Sequence, residues 1–239
     1  MPVNNVAVFI SGDPSPHARL KYKDYGQLFF QLLNNPGDNW HFFDARLFEY
    51  PSDISQFHVV IITGSPATAN EPLPWILELK DRIRDAHRQG VKLLGICFGH
   101  QVIAESLGGR TIINPNGWEI GLHSLVWRNR ETDPFLASVQ SLPEDVLQVH
   151  RDIVVSLPKD ADLLASSPLT KVQVYRIGTK VLCIQGHPEF FNDIVSELIE
   201  IRHEKGILNK EVATSARESL GNLPNRSSWV ELIKTFFKL

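Results

Sequence analysis

Val91-Lys92-Leu93-Leu94-Gly95-Ile96-Cys97-Phe98-Gly99-His100-Gln101 is a short apolar run that ends in a cysteine with a glycine two positions to either side. Gly90 stops the segment before it, and a helical pattern over residues 101–107, closed by Gly108-Gly109, follows it. A buried strand that turns sharply into a helix is the reading that satisfies both flanks. Gly95-Ile96-Cys97-Phe98-Gly99 then has the G-x-nucleophile-x-G form of a nucleophile elbow, at the strand-to-helix junction where such a turn works. The glycines are needed because a Cβ on either side of the strained turn would strike the neighbouring strand or helix.

Working outward, the pattern repeats. Trp75, Ile76, Leu79, Ile83 and Ala86 recur at three- and four-residue steps among charges, which predicts an amphipathic helix over residues 75–89. Residues 6–11, 40–43 and 59–63 read as strands, the first ended by Gly12-Asp13-Pro14 and the third by Gly64-Ser65-Pro66. Residues 25–33 carry helical spacing. Strand, helix, strand, helix is the order of a parallel doubly wound sheet. Downstream the pattern changes to short strands at 122–127, 147–149, 153–157, 172–177 and 181–185, read as an antiparallel portion added to that sheet. Helices return at 192–205, 211–220 and 228–238. The expectation is one α/β domain over residues 1–239, with 207–239 a C-terminal helical extension. On the last helix Trp229, Leu232, Ile233 and Phe236 form an apolar stripe expected to pack on the protein's own sheet.

Composition narrows the function classes. Apolar residues at 43 % and charged residues at 21 % are globular proportions, so the chain is expected to fold throughout. A formal net charge of -3 provides no electrostatic footprint for nucleic acid or acidic membranes, which points to small-molecule partners. Two cysteines, Cys97 and Cys183, form neither a disulfide framework nor a metal-ligand spacing, so no metal or cofactor is expected and a reducing, cytoplasmic setting is. The apolar run at 6–10 reads as a first strand and not a secretory leader.

A thiol at a helix N-terminus meets the positive end of the helix dipole, which favours the thiolate. The N–H of Phe98, in the first turn of the same helix, can donate to a developing oxyanion, and Gly64 after the preceding strand is the candidate second donor. Cys183, mid-strand with no glycine turn, reads as core packing.

A base must come from elsewhere. Gln185-Gly186-His187-Pro188-Glu189 follows a strand, so His187 emerges at a strand end. Pro188 disfavours helical geometry at the residue before it, and in an extended segment residues two apart face the same way. The Glu189 carboxylate can therefore lie beside the His187 ring and set its tautomer, leaving the other nitrogen for the thiol proton. Among nine histidines none of the others has this setting; His100, on the elbow's own helix, reads as a wall residue. Cys183 and His187 stand four strand positions apart, about 13 Å, too far to form the dyad.

The two motifs together resemble the class I glutamine amidotransferase family, a flavodoxin-like or Rossmann-like three-layer sandwich. That resemblance implies a catalytic triad of Cys97, His187 and Glu189, with Gln101 contacting a bound γ-glutamyl group. A stand-alone branch similar to plant γ-glutamyl peptidases, which trim glutathione conjugates, is matched at Ile62-Thr63-Gly64-Ser65-Pro66, Gly117-Trp118-Glu119-Ile120-Gly121 and Leu163-Leu164-Ala165-Ser166-Ser167. It implies the oxyanion role for the Gly64 loop and a substrate-holding role for His150, Arg151 and Asp152. A tighter family form has glycine where Arg151 stands.

Two reactions share this chemistry. If the released amine is a peptide, the enzyme is a free-standing γ-glutamyl peptidase acting on glutathione or its conjugates. If it is ammonia, the enzyme is a glutaminase and a separate synthase must be its partner. The absence of a P-loop motif favours the first. A third reading is a binding or regulatory module that keeps the fold without turnover; the intact Cys, His and Glu set argues against it.

Overall fold

The computed structural model describes residues 4–239. The first half alternates strands and helices: β1 (Asn5–Ile10), α1 (Pro16–Tyr22), α2 (Tyr25–Leu33), β2 (Asn39–Asp44), β3 (Val59–Ile62), α3 (Pro74–Arg88), β4 (Lys92–Ile96) and α4 (Phe98–Ser106). The second half is strand-rich: β5 (Arg110–Ile113), β6 (Glu119–Ser124), β7 (Val126–Trp127), α5 (Pro134–Ser138), β8 (Asp145–His150), β9 (Asp152–Ser156), β10 (Ala161–Ser166), β11 (Val174–Ile177) and β12 (Val181–Ile184). Helices α6 (Asn192–Glu204), α7 (Lys210–Ser219) and α8 (Arg226–Phe237) complete it.

Eight strands form the central sheet in the order β2-β1-β3-β4-β12-β11-β10-β7. The first five run parallel, and β11, β10 and β7 extend the sheet antiparallel. Parallel strands covered on both faces must be apolar throughout. Val59–Ile62 and Val181–Ile184 are buried at every position. One face packs on α2 and α8, through Phe29, Leu33, Trp229, Leu232, Ile233 and Phe237. The other packs on α3 and α4, through Ile76, Leu79, Ile83, Val102 and Ile103. The fold is a mostly parallel, flavodoxin-like three-layer arrangement.

The stripe on the last helix packs as the sequence predicts: Trp229, Leu232 and Ile233 are fully buried in the core, each such side chain contributing about 1.5–3 kcal/mol of burial. The antiparallel portion is more divided than expected. The run at 181–185, expected in that portion, is β12 and runs parallel beside β4; β11, β10 and β7 join the main sheet antiparallel, while β5 pairs with β9 and β6 with β8 as separate two-stranded ladders. The reason is a second apolar surface: Ile120, Leu147 and Val149 cluster with Ile194, Val195 and Ile199 of α6 instead of continuing the sheet. The run at 122–127 also breaks at Leu125, whose N–H donates to the Glu144 carbonyl, so it belongs to two strands and not one. Helices α1 and α5, of seven and five residues, are too short to show periodicity in the sequence.

Candidate active site

Register places the functional segments together. Ile62 pairs with Gly95, and Ile96 with Ile184, so the chain leaving β3, β4 and β12 emerges along one carboxyl edge. Gly64, Cys97 and His187 all stand on that edge. The Cys97 N–H donates to the Ile184 carbonyl at 2.9 Å, and the His187 N–H to the Leu147 carbonyl at 2.7 Å.

Cys97 has φ +53° and ψ −104°, a region non-glycine residues rarely occupy, and it caps the N-terminus of α4. The elbow glycines explain how the turn survives. A Cβ on Gly95 would stand 2.6 Å from the Gly99 carbonyl oxygen, and one on Gly99 would stand 2.2 Å from that of Ile62. Helix α4 is thereby pressed onto β3 and β4, and the thiol is held at the head of the helix. Neither the Gly64 nor the Phe98 N–H has a hydrogen-bond acceptor among the described residues. A Cβ built on Gly64 would lie 3.8 Å from the Cys97 Cβ and 3.0 Å from His187 Cε1, so that backbone borders both groups.

His187 Nδ1 and Glu189 Oε1 are 2.8 Å apart, and both side chains are buried. Burial works against a charge on the His187 ring, but the Glu189 carboxylate and then the Cys97 sulfur outweigh it, raising the imidazole to about 10. The ring stacks on Phe190 at 3.9 Å, which fixes its plane. From α8, Arg226 donates to the carbonyls of Pro188 (3.3 Å) and Glu189 (3.2 Å) while lying over the Phe191 ring. Gly186 lets β8 approach, since a Cβ there would stand 2.6 Å from both methyls of Val146.

Cys97 and His187 open into a cleft of about 190 Å³, walled by Tyr25, Gly64, Ser65, Pro66, Phe190 and Arg202 among others. Of the predicted substrate-holding segment, only its neighbour Val149 lines this cleft. Gln101 and His150 are buried behind it: Gln101 Nε2 donates to the Asp152 carbonyl at 2.8 Å, and His150 Nδ1 lies 3.1 Å from the same oxygen. Arg151 is exposed, and Asp152 meets Gln101 and His150 only through its main chain. His150 Nε2 is 3.2 Å from Glu119, a fully buried carboxylate. Desolvation raises the Glu119 pKa, but His150, Ser167 and Thr170 prevail and hold it down to about 2. His100 packs edge-on against Tyr175, and burial with the nearby His150 pushes it down to about 3, so it is a neutral wall. Cys183 is fully buried, its thiol pushed up to about 12 by desolvation.

Tyr25, Phe190, Arg202 and Arg226 are the site residues that sequence reading missed. Tyr25 and Arg202 lie on helices that no motif marks, far from the elbow in sequence, and nothing local signals their convergence. A larger depression of about 680 Å³ along α3 is walled by charged side chains, several already ion-paired to one another, and lies away from Cys97. Among the described residues no cluster of His, Cys, Asp and Glu is arranged to hold a metal, and no helix is long and apolar enough to cross a membrane.

A thiol raised at a strand-to-helix elbow, beside an imidazole–carboxylate pair in the turn that follows the next parallel strand, defines a cysteine-bearing α/β hydrolase of flavodoxin-like fold. More narrowly, the chain belongs to the class-I glutamine amidotransferase family, whose model matches residues 39–195, and it is an enzyme of that family. It is 31 % identical to gamma-glutamyl peptidase 4 of Arabidopsis thaliana, across 97 % of this chain and 94 % of that one. It is 30 % identical to gamma-glutamyl peptidase 3 of the same plant, across 97 % and 96 %. Among solved structures, a glutamine amidotransferase from Thermotoga maritima superposes with a TM-score of 0.75 over 100 % of both chains at 20 % identity, a likeness of fold.

Proposed function

We propose that this chain hydrolyses the γ-glutamyl amide bond of γ-glutamyl peptides such as glutathione or its conjugates. The observation that carries the reading is Cys97 at positive φ, bordered by the free N–H groups of Gly64 and Phe98 and by the buried His187–Glu189 pair. The full-length similarity to gamma-glutamyl peptidases supports the choice of substrate class. In this reading residues 1–239 work as one unit, the helices of 207–239 included, in the cytoplasm.

The Cys97 sulfur attacks the γ-carbonyl carbon, and the carbonyl electrons move to oxygen, where the two N–H groups stabilise the oxyanion. Collapse breaks the C–N bond as His187 gives its proton to the leaving amine. Water then adds to the thioester with His187 accepting its proton, and glutamate leaves as the thiol is regenerated. Glu189 stabilises the imidazolium throughout. Gln101 and His150, tied to the Asp152 main chain, back the cleft from behind the thiol, while Arg151, which is exposed, takes no part in that support.

The test is glutamate release by the purified protein from glutathione, from an S-conjugate and from glutamine. Cys97→Ala is expected to lower release by about 10⁴-fold or more. Release from glutamine alone would replace this reading with a glutaminase that feeds a synthase. No release from any of the three would leave a binding module.

A further inference from the structure

Helix α6 carries four acidic side chains, and three of them are taken. Asp193 is held by Lys21 and the Tyr22 hydroxyl. Glu197 accepts from Ser15 and from the N–H of His17, and so caps α1. Glu200 is bidentate to Arg217. Asp13, at the rim of the cleft, is paired with Arg46 and Arg19. Arg19 and Lys21 are therefore spent on contacts within the protein.

Arg202, on the same helix, has none of this. It lines the Cys97 cleft one turn beyond Leu198, half-buried, and no carboxylate pairs with it among the described residues. Its contacts are the Leu198 carbonyl, to which Nη1 donates at 3.2 Å, and the face of Trp118 at 5.2 Å. A guanidinium carries five N–H donors in a planar fork, matched to the two oxygens of a carboxylate. Burial disfavours its charge, and a half-desolvated cation facing a reaction cleft without a counter-ion is completed by an anionic ligand.

The side of the thiol on which it stands identifies the anion. His187 must reach the leaving amine, so the amine half of a substrate lies toward His187. The His187 ring stacks on Phe190, Phe190 meets Tyr25 at 5.6 Å, and Arg202 lines the same cleft as all three. We propose that Arg202 anchors the carboxylate of the amine-side half of a γ-glutamyl peptide, making it a specificity-determining residue that separates peptides from glutamine. The inference rests on the γ-glutamyl peptidase reading. Glutamine, whose leaving group is ammonia, has no carboxylate to offer at this position.

The experiment compares wild type with Arg202→Gln on glutathione and on γ-glutamylmethylamide, which keeps the γ-glutamyl half and lacks a carboxylate on its amine. Loss of one charged hydrogen-bonding pair is expected to lower kcat/KM for glutathione about 10- to 100-fold, carried by KM. Turnover of the methylamide is expected to change by less than about 2-fold, which also reports that the variant is folded. Arg202→Lys, a point charge without the fork, should recover part of the glutathione activity and none of the bidentate geometry. An equal loss on both substrates would overturn the proposal and assign Arg202 to the γ-glutamyl half or to structure. Unchanged turnover of glutathione would overturn it outright. Wild type that cleaves the methylamide but no peptide would refute the peptidase reading itself, and this proposal with it.

Discussion

Glu189→Gln removes one charge and almost no volume, and its effect can be worked from one distance. The His187 Nδ1 to Glu189 Oε1 separation of 2.8 Å corresponds to about 6 kcal/mol of attraction at an effective dielectric of about 20. At 1.36 kcal/mol per pKa unit that is about 4 units of support for the imidazolium. Glutamine keeps a hydrogen bond worth about 1 kcal/mol, so the net loss is about 3 units. The imidazole, held near 10 in the wild type, should then titrate near neutrality. The assay is kcat/KM against pH from about 6 to about 10.5. Its alkaline limb should move down by about 3 units, and kcat near neutral pH should fall about 10²- to 10⁴-fold. A limb that moves by less than about half a unit would refute the claim that Glu189 holds the proton on His187.

Stability carries the same signature with a definite sign. The His187 pKa is raised on folding, so the pair's contribution is fully present below about 6.5 and lost as pH rises through about 10. Denaturant melts should show the gap between wild type and Glu189→Gln shrinking across that window, and a gap that widens would contradict the assignment. Gly99→Ala drives a methyl to within 2.2 Å of the Ile62 carbonyl oxygen and is expected to cost more than about 3 kcal/mol, read as a fall in Tm or loss of soluble protein. Gly108→Ala, at φ +92° with nothing within 4 Å, should cost about 1–2 kcal/mol from backbone strain alone and serves as the comparison. Arg226→Ala frees the Pro188 and Glu189 carbonyls and should lower kcat about 10-fold with KM little changed; an effect on KM alone would assign Arg226 to substrate binding.

The elbow and the base loop were legible because their chemistry is local. Gly95 is forced by Gly99 and Ile103 within the elbow itself, but Gly99 is forced by the Ile62 carbonyl of β3; and Pro188 and Glu189 form a turn, closed by the Phe190 N–H on the His187 carbonyl at 3.3 Å, in place of the extended segment expected, so the motifs display the candidate residues but not what holds them. The central alternation of strands and helices was legible for the same reason, as in Tyr25–Leu33, where the period of apolar residues is the burial pattern itself. Pairing was not. Nothing in residues 145–156 says that β8 and β9 leave the main sheet, because β8 packs on the apolar face of α6, some forty residues later in the chain, and β9 on α4, about fifty residues earlier. Nor does Gln101 announce that its amide turns to the Asp152 carbonyl instead of the cleft. By itself the sequence determined the fold class, the elbow and the residues proposed here as nucleophile, base and orienter. Only the tertiary structure decided which side chains line the cleft, and it left Arg202 there without a counter-ion, because convergence of distant helices depends on packing between surfaces that no local pattern encodes.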